Sequence, residues 1–300
     1  MRKLYAWGLA AILLSASGGA VACAQGRGFV PVQGQTLPAR VDEALKLARA
    51  RAARSRFWLA YEFNLRGGVA IDSVPGLSGV ATGKVGEFET RRAGLFMLYE
   101  PGAASPSEIK VLSLDQTPAV GGLPAFWLEK SANEESLQFL QGLLKARPSG
   151  PAAQQAVVAI ALHDDPSVAA VLRQVLQNSQ DVPVRTTAVA WLGRLPGQLP
   201  LLAELAREGR EQPEVRHAAV TAIAKGREPA FLSTLEDLYN NAAADRDLKA
   251  HIIRVAAKSE DKGAAAEFLV KVAENEPDED LRRQALTSIN KKLYRRKARQ

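Results

Sequence analysis

Residues 181–192 read DVPVRTTAVAWL and residues 212–223 read QPEVRHAAVTAI. Each has an apolar–basic pair, Val184-Arg185 or Val215-Arg216, with apolar residues three and seven positions after the base, a spacing that lines one helical face. The frame returns at Leu248-Lys249 and Leu281-Arg282, so the basic positions stand 31, 33 and 33 residues apart. Thirty-two residues before Arg185 lies Ala153, in a stretch with the same apolar pattern and no cation. Three positions after each marker come Ala156, Ala188, Ala219, Ile252 and Ala285; seven after come Ile160, Leu192, Ile223, Ala256 and Ile289. Asp181, Gln212, Asp245 and Asp278 stand four before. A second amphipathic stretch precedes each marker, as in Val171-Leu172 with Val175-Leu176. The unit reads as helix, polar turn and second helix, five times over residues 131–292. Two helices cannot cover their own apolar face, so the units must stack into an elongated α-α superhelix.

These residues, 181–192, 213–223 and 280–289 above all, resemble the HEAT repeats of short bacterial proteins, which are similar to the helical repeats of phycobilin lyases. The resemblance covers about 160 residues of the 300. It implies that second helices line the concave side of the solenoid and present it to a protein partner. There it would expose Thr187, Trp191, Thr221, Arg254 and Thr287. The chain departs from the family pattern at Lys249 and Ala153, where Arg is usual, and at Gln212, where Asp is usual. The first unit is therefore expected to be an atypical cap.

The residues before the repeats have another character. Residues 1–24 form a three-part targeting sequence: Arg2 and Lys3, an apolar run from Leu4 to Leu14, then small residues. Two cleavage patterns overlap, one after Ala24 and one after Ala22. The second would leave Cys23 as a lipidation site, although Ala20 stands where a lipobox usually has Leu. A soluble periplasmic or secreted protein is expected ahead of an envelope lipoprotein. Residues 25–38 read as a flexible linker and 39–56 as a helix. Residues 57–130 read as a small β-rich region, with strands expected at 57–65, 86–91, 95–99, 109–114 and 125–128. At residues 131–134, Ser-Ala-Asn-Glu reads as a capping box opening the first repeat helix. The fold class is thus mainly α, a solenoid of about five helix pairs behind a small β-containing region.

The formal net charge of +7 belongs to the ends. Residues 1–24 carry two cations and no acid. The last ten residues carry Lys291, Lys292, Arg295, Arg296, Lys297 and Arg299 and no acid, with residues 293–300 read as a basic tail. The body between is nearly neutral, which speaks against a nucleic-acid partner. One Cys excludes a disulfide framework.

The marker cations Arg185, Arg216, Lys249 and Arg282 are expected to pair with turn carboxylates and fix the spacing of units. A second ladder, Arg194, Lys225, Lys258 and Lys291, lies nine residues on, where cations favour a helix C-terminus. Stacked, it would form a basic stripe facing an acidic protein partner, with Trp191 and Arg254 as further candidate contacts. Trp191 has a second reading, as a contact between units. Membrane association would run through Cys23 or the tail. His163, His217 and His251 fall at different places in the repeat and are not expected to converge, so no metal, cofactor or catalytic residue is assigned. The alternative is a lyase- or hydrolase-like site between the β region and the repeats.

Overall fold

The computed structural model describes residues 28–51, 54–71, 90–115, 118, 120–146, 151–226, 230–242, 245–259 and 261–297, without the side chains of Lys262 and residues 290–297. Cys23 and the other residues of 1–24, expected as a targeting sequence, lie outside the described residues.

In chain order the elements are β1 (Phe29–Pro31), α1 (Leu37–Arg51), β2 (Phe57–Phe63), β3 (Ala93–Tyr99), β4 (Glu108–Ser113) and β5 (Ala125–Lys130). The helical half follows with α2 (Asn133–Lys145), α3 (Ala152–Leu162), α4 (Val168–Asn178), α5 (Val182–Leu192), α6 (Leu199–Arg207) and α7 (Pro213–Lys225). It ends with α8 (Phe231–Asn241), α9 (Arg246–Ala256), α10 (Lys262–Asn275) and α11 (Glu279–Lys297).

The five strands form one sheet in the order β1-β5-β2-β3-β4. Strand β5 lies parallel between β1 and β2, and β2, β3 and β4 run antiparallel in succession. The alternation in β2 sends Phe57, Leu59, Tyr61 and Phe63 to one face, where they share a core with Leu37, Val41 and Ala44 of α1 and Leu137 and Leu140 of α2. Trp58, Ala60, Phe96, Leu98 and Trp127 form a second cluster on the other face. Because both faces are buried, β3 is apolar throughout, as AGLFMLY.

Several expectations need correction. The segment read as a flexible linker supplies β1, whose pairing with β5 is extended by the bond from Val32 N to Trp127 O at 2.9 Å. Three residues are too few to show an alternating pattern. Helix α1 starts at Leu37, ahead of the expected 39, and residues 54–56 lie beyond it in a turn. Of the strand expected at 86–91, residues 86–89 lie outside the described residues and 90–91 are in no strand. The capping box does not form. Ala132 is the N-cap of α2, and Ser131 Oγ donates to Glu135 Oε2 at 3.0 Å and to Ala132 O at 3.2 Å. The tail expected from 293 continues α11 through Lys297.

The helices pair as α2/α3, α4/α5, α6/α7, α8/α9 and α10/α11, a HEAT-like solenoid. The second helices form a continuous layer, α3 on α5 on α7 on α9 on α11. The positions before the markers, Ala152, Val184, Val215, Leu248 and Leu281, are all buried, which fixes the register of all five units. Val157, Val189, Val220 and Ile253, four after the marker, are buried against the next unit, whereas Leu286 in the last unit is 51% exposed. Asp side chains at Asp181, Asp245 and Asp278 accept from backbone N–H groups three residues on, at 2.9, 3.0 and 3.1 Å. Gln212 makes no such cap, and its buried Oε1 has no partner among the described residues.

Gln212→Asp should therefore raise stability by about 1 kcal/mol, the usual worth of an N-cap, and raise the urea midpoint at constant slope. Gly193, after α5, has an ordinary helical φ of −62°, but a Cβ there would stand 2.6 Å from Ala222 Cβ on α7. Gly193→Ala should cost about 1–3 kcal/mol by prising these helices apart, and an unchanged thermal midpoint would contradict the close approach.

Candidate functional site

The marker cations act between units. Arg185 Nη1 donates to Leu176 O at 2.5 Å and Ser179 O at 3.2 Å, while Nη2 pairs with Glu211 from the next turn. Arg216 Nε donates to Ala206 O at 3.1 Å, and its Nη1 reaches Asp245 Oδ2 at 2.5 Å, again one unit on. Lys249 repeats the step with Glu276 at 3.1 Å and lies over the Tyr239 ring. Arg282, in the last unit, donates to Glu276 O and Pro277 O at 2.9 and 3.0 Å. Each of the first three thus reaches a carboxylate of the following pair, and Arg185 and Arg216 also hold a carbonyl at the end of the first helix of their own pair. Burial works against the charge on Glu276, but the hydrogen bonds from Tyr239 and Lys249 outweigh it and hold its carboxyl below the usual range. These cations are committed to the fold.

The second ladder is differently placed. Arg194, Lys225 and Lys258 follow or end α5, α7 and α9 and are exposed. None forms an ion pair among the described residues, and Arg254 is exposed on the same layer. The side chain of Lys291 lies outside the described residues. Acids stand at the opposite end of these helices, where Asp247 is 70% exposed and Asp280 is 65% exposed. Those acids have cationic or imidazole neighbours, Asp247 beside His217 and Asp280 with Arg246 and Arg283, so the exposed cations of the second ladder stand out as the unmatched charge of the layer.

Trp191 is not the exposed anchor that was one of its two expected roles. It is 7% exposed, in the common core, with the Arg194 guanidinium 4.2 Å from its ring centroid. Its counterparts in the neighbouring units are Ala159 and Ala222, both buried, and their small side chains leave room for the indole between units. Thr187 and Thr221 are only half-exposed, the first donating to Pro183 O and the second bonded to His251 Nε2 at 3.0 Å. Arg254 and Thr287 are exposed, as expected.

Two histidines do meet, contrary to their different positions in the repeat. His217 and His251 stack with centroids 4.3 Å apart because α7 and α9 are neighbours and the two positions, one and two after the marker, differ by a single residue. His217 Nε2 stands 3.2 Å from Asp247. Burial, then the charges of His217 and Arg254, lower the His251 pKa to about 4. Among the described residues no group of three or more His, Cys, Asp or Glu side chains could hold a metal ion. Also among them, no helix is long and apolar enough to cross a membrane.

The seam between sheet and first unit was the place for an alternative, catalytic site. There Tyr61 OH, Ser136 Oγ and His163 Nε2 form a chain with both distances 2.7 Å. His163 Nδ1 must donate to Ala159 O at 2.8 Å, so neutral Nε2 accepts from Ser136 and Ser136 accepts from Tyr61. The three residues are 0–2% exposed, and His163 also stacks on Phe63 at 4.2 Å. This serine and histidine are closed into the interior and join α2, α3 and β2. Around them Asn133 bonds the backbone of Asn64 twice and Asp164 once. Gln155 Oε1 on α3 accepts from Ile109 N of edge strand β4 at 2.7 Å. The spacing of His163 from Ser136 carried no sequence signal, since only the fold aligns them.

Residues 169–247 and 199–290 each match the family model of HEAT repeats. No curated protein matches the chain.

Burial pulls the His163 pKa down to about 4, against 6.5 when unfolded. The folded protein keeps the neutral ring, so its contribution is complete above pH 6.5 and is lost as pH falls towards 4. About 3 kcal/mol should go over that interval, read as a steeper acid decline in urea stability for wild type than for His163→Gln.

Proposed function

We propose that this chain, whose residues 169–290 are HEAT repeats, works as a non-catalytic scaffold that holds an acidic protein partner along the layer of second helices. Such repeats generally serve protein interaction. The observation that carries the reading is the separation of two sets of cations. Arg185, Arg216 and Lys249 are consumed by carboxylates of the next unit, whereas Arg194, Lys225 and Lys258 remain exposed at corresponding levels of successive second helices, with Arg254 exposed one turn before Lys258. A repeated exposed charge on a stacked layer creates an extended field that steers an oppositely charged surface and sets its register. The targeting sequence supports a place in the bacterial envelope, with the mature chain periplasmic or secreted and Cys23 or the basic C-terminal end as the means of any membrane attachment.

The partner should be captured by the mature chain from an envelope fraction at about 50 mM salt and largely lost at about 300 mM, as expected for screened surface charges. Combined Arg194→Ala, Lys225→Ala and Lys258→Ala should reduce recovery of that same partner severalfold with the thermal midpoint unchanged. Equal recovery by wild type and variant at low salt would rule out the stripe as the contact.

A further inference from the structure

The ladder has a missing rung. At the first unit the marker position holds Ala153, and beside it the structure has a cavity of about 590 Å³ between the first and second helix pairs. Its walls repeat the surroundings that the other units give to a cation. Leu144, at the end of α2, occupies the register of Leu176, whose carbonyl accepts from Arg185. Ser179, Gln180 and Asp181 hold the three turn positions from which later seams take Glu276, Glu211 and Asp245. All three line the cavity.

Asp181 is the acid among them, and its wiring matches that of Asp245. Asp245 Oδ1 caps α9 through Leu248 N while Oδ2 accepts from Arg216. Asp181 Oδ1 caps α5 through Val184 N, and Oδ2 has no partner among the described residues. We infer that this cavity is a binding site for a guanidinium group supplied from outside the fold, which takes the place of the absent marker arginine. A planar fork suits the site better than an ammonium because the best-matched rung, Arg185, uses carbonyls on one side and a carboxylate on the other. Lys145, on the rim, is exposed and opposes the charge, so affinity depends on the hydrogen bonds rather than on net field. The site is separate from the basic stripe, and either can fail without the other.

The test is titration calorimetry on the mature full-length chain with N-acetyl-arginine methylamide, its neutral citrulline analogue, and the pentapeptide Gly-Gly-Arg-Gly-Gly. The arginine ligand should bind and the citrulline analogue should bind at least about tenfold more weakly, the cost of losing a charge-assisted pair. Tighter binding of the pentapeptide would assign the guanidinium to a protein segment, and equal binding to a small molecule. Asp181→Asn keeps the helix cap yet should weaken binding about tenfold. Ala153→Arg should abolish binding and raise the thermal midpoint by completing the ladder. Absence of binding at millimolar ligand, or binding indifferent to Asp181→Asn, overturns the proposal.

Discussion

A pair of helices has two stacking faces and can cover neither alone, and the whole structure answers that constraint. Within the solenoid each pair buries its neighbour's Val189, Val220 or Ile253. At the N-terminal end of the solenoid the described residues place a five-stranded sheet where an earlier pair would stack. Phe57, Leu59, Tyr61 and Phe63 lie in the same core as Val157, Ile160 and Leu172. Edge strand β4 is closed by Gln155 of the first unit, so one contact covers a sheet edge and the open face of a repeat together.

Charge in the repeats does two jobs at different distances from the marker. At the marker itself, a partly buried cation meets a carboxylate of the following turn at Arg185, Arg216 and Lys249, and the arginines also satisfy helix-end or turn carbonyls. Removing such a partner leaves the other charge stranded, which is costly where both are largely desolvated. Nine residues later the cation stands in solvent at a helix C-terminus, where its local stabilising role is small and its field reaches outward. The second set is therefore the one free to meet another molecule.

The solenoid was legible because its signal is repeated: the apolar frame recurs in five units, with an alanine three residues on in four of them and an acid four before in three. The junction was not. Ser136, His163 and Tyr61 are far apart in the chain and meet only when the first unit docks on the sheet. The stacking of His217 on His251 escaped because two positions one residue apart in the repeat were read as separate, although neighbouring helices bring them together. Trp191 was readable in kind but not in place: the small Ala159 and Ala222 beside it allow a buried indole, and only packing selects that outcome. Strand β1 is too short to announce itself, and Ser131 prefers Glu135 to the backbone it was expected to cap.

The position of β5 between β1 and β2 has a bearing on biosynthesis. A nascent chain that emerges N-terminus first presents β1 and β2 long before residue 125, yet these strands cannot join each other without the one that belongs between them. Each helix pair further on needs only its own residues and a neighbour already in place. Closure of the sheet is the long-range, slow event, and until it occurs the aromatic edges of β1 and β2 are what a chaperone would have to shield.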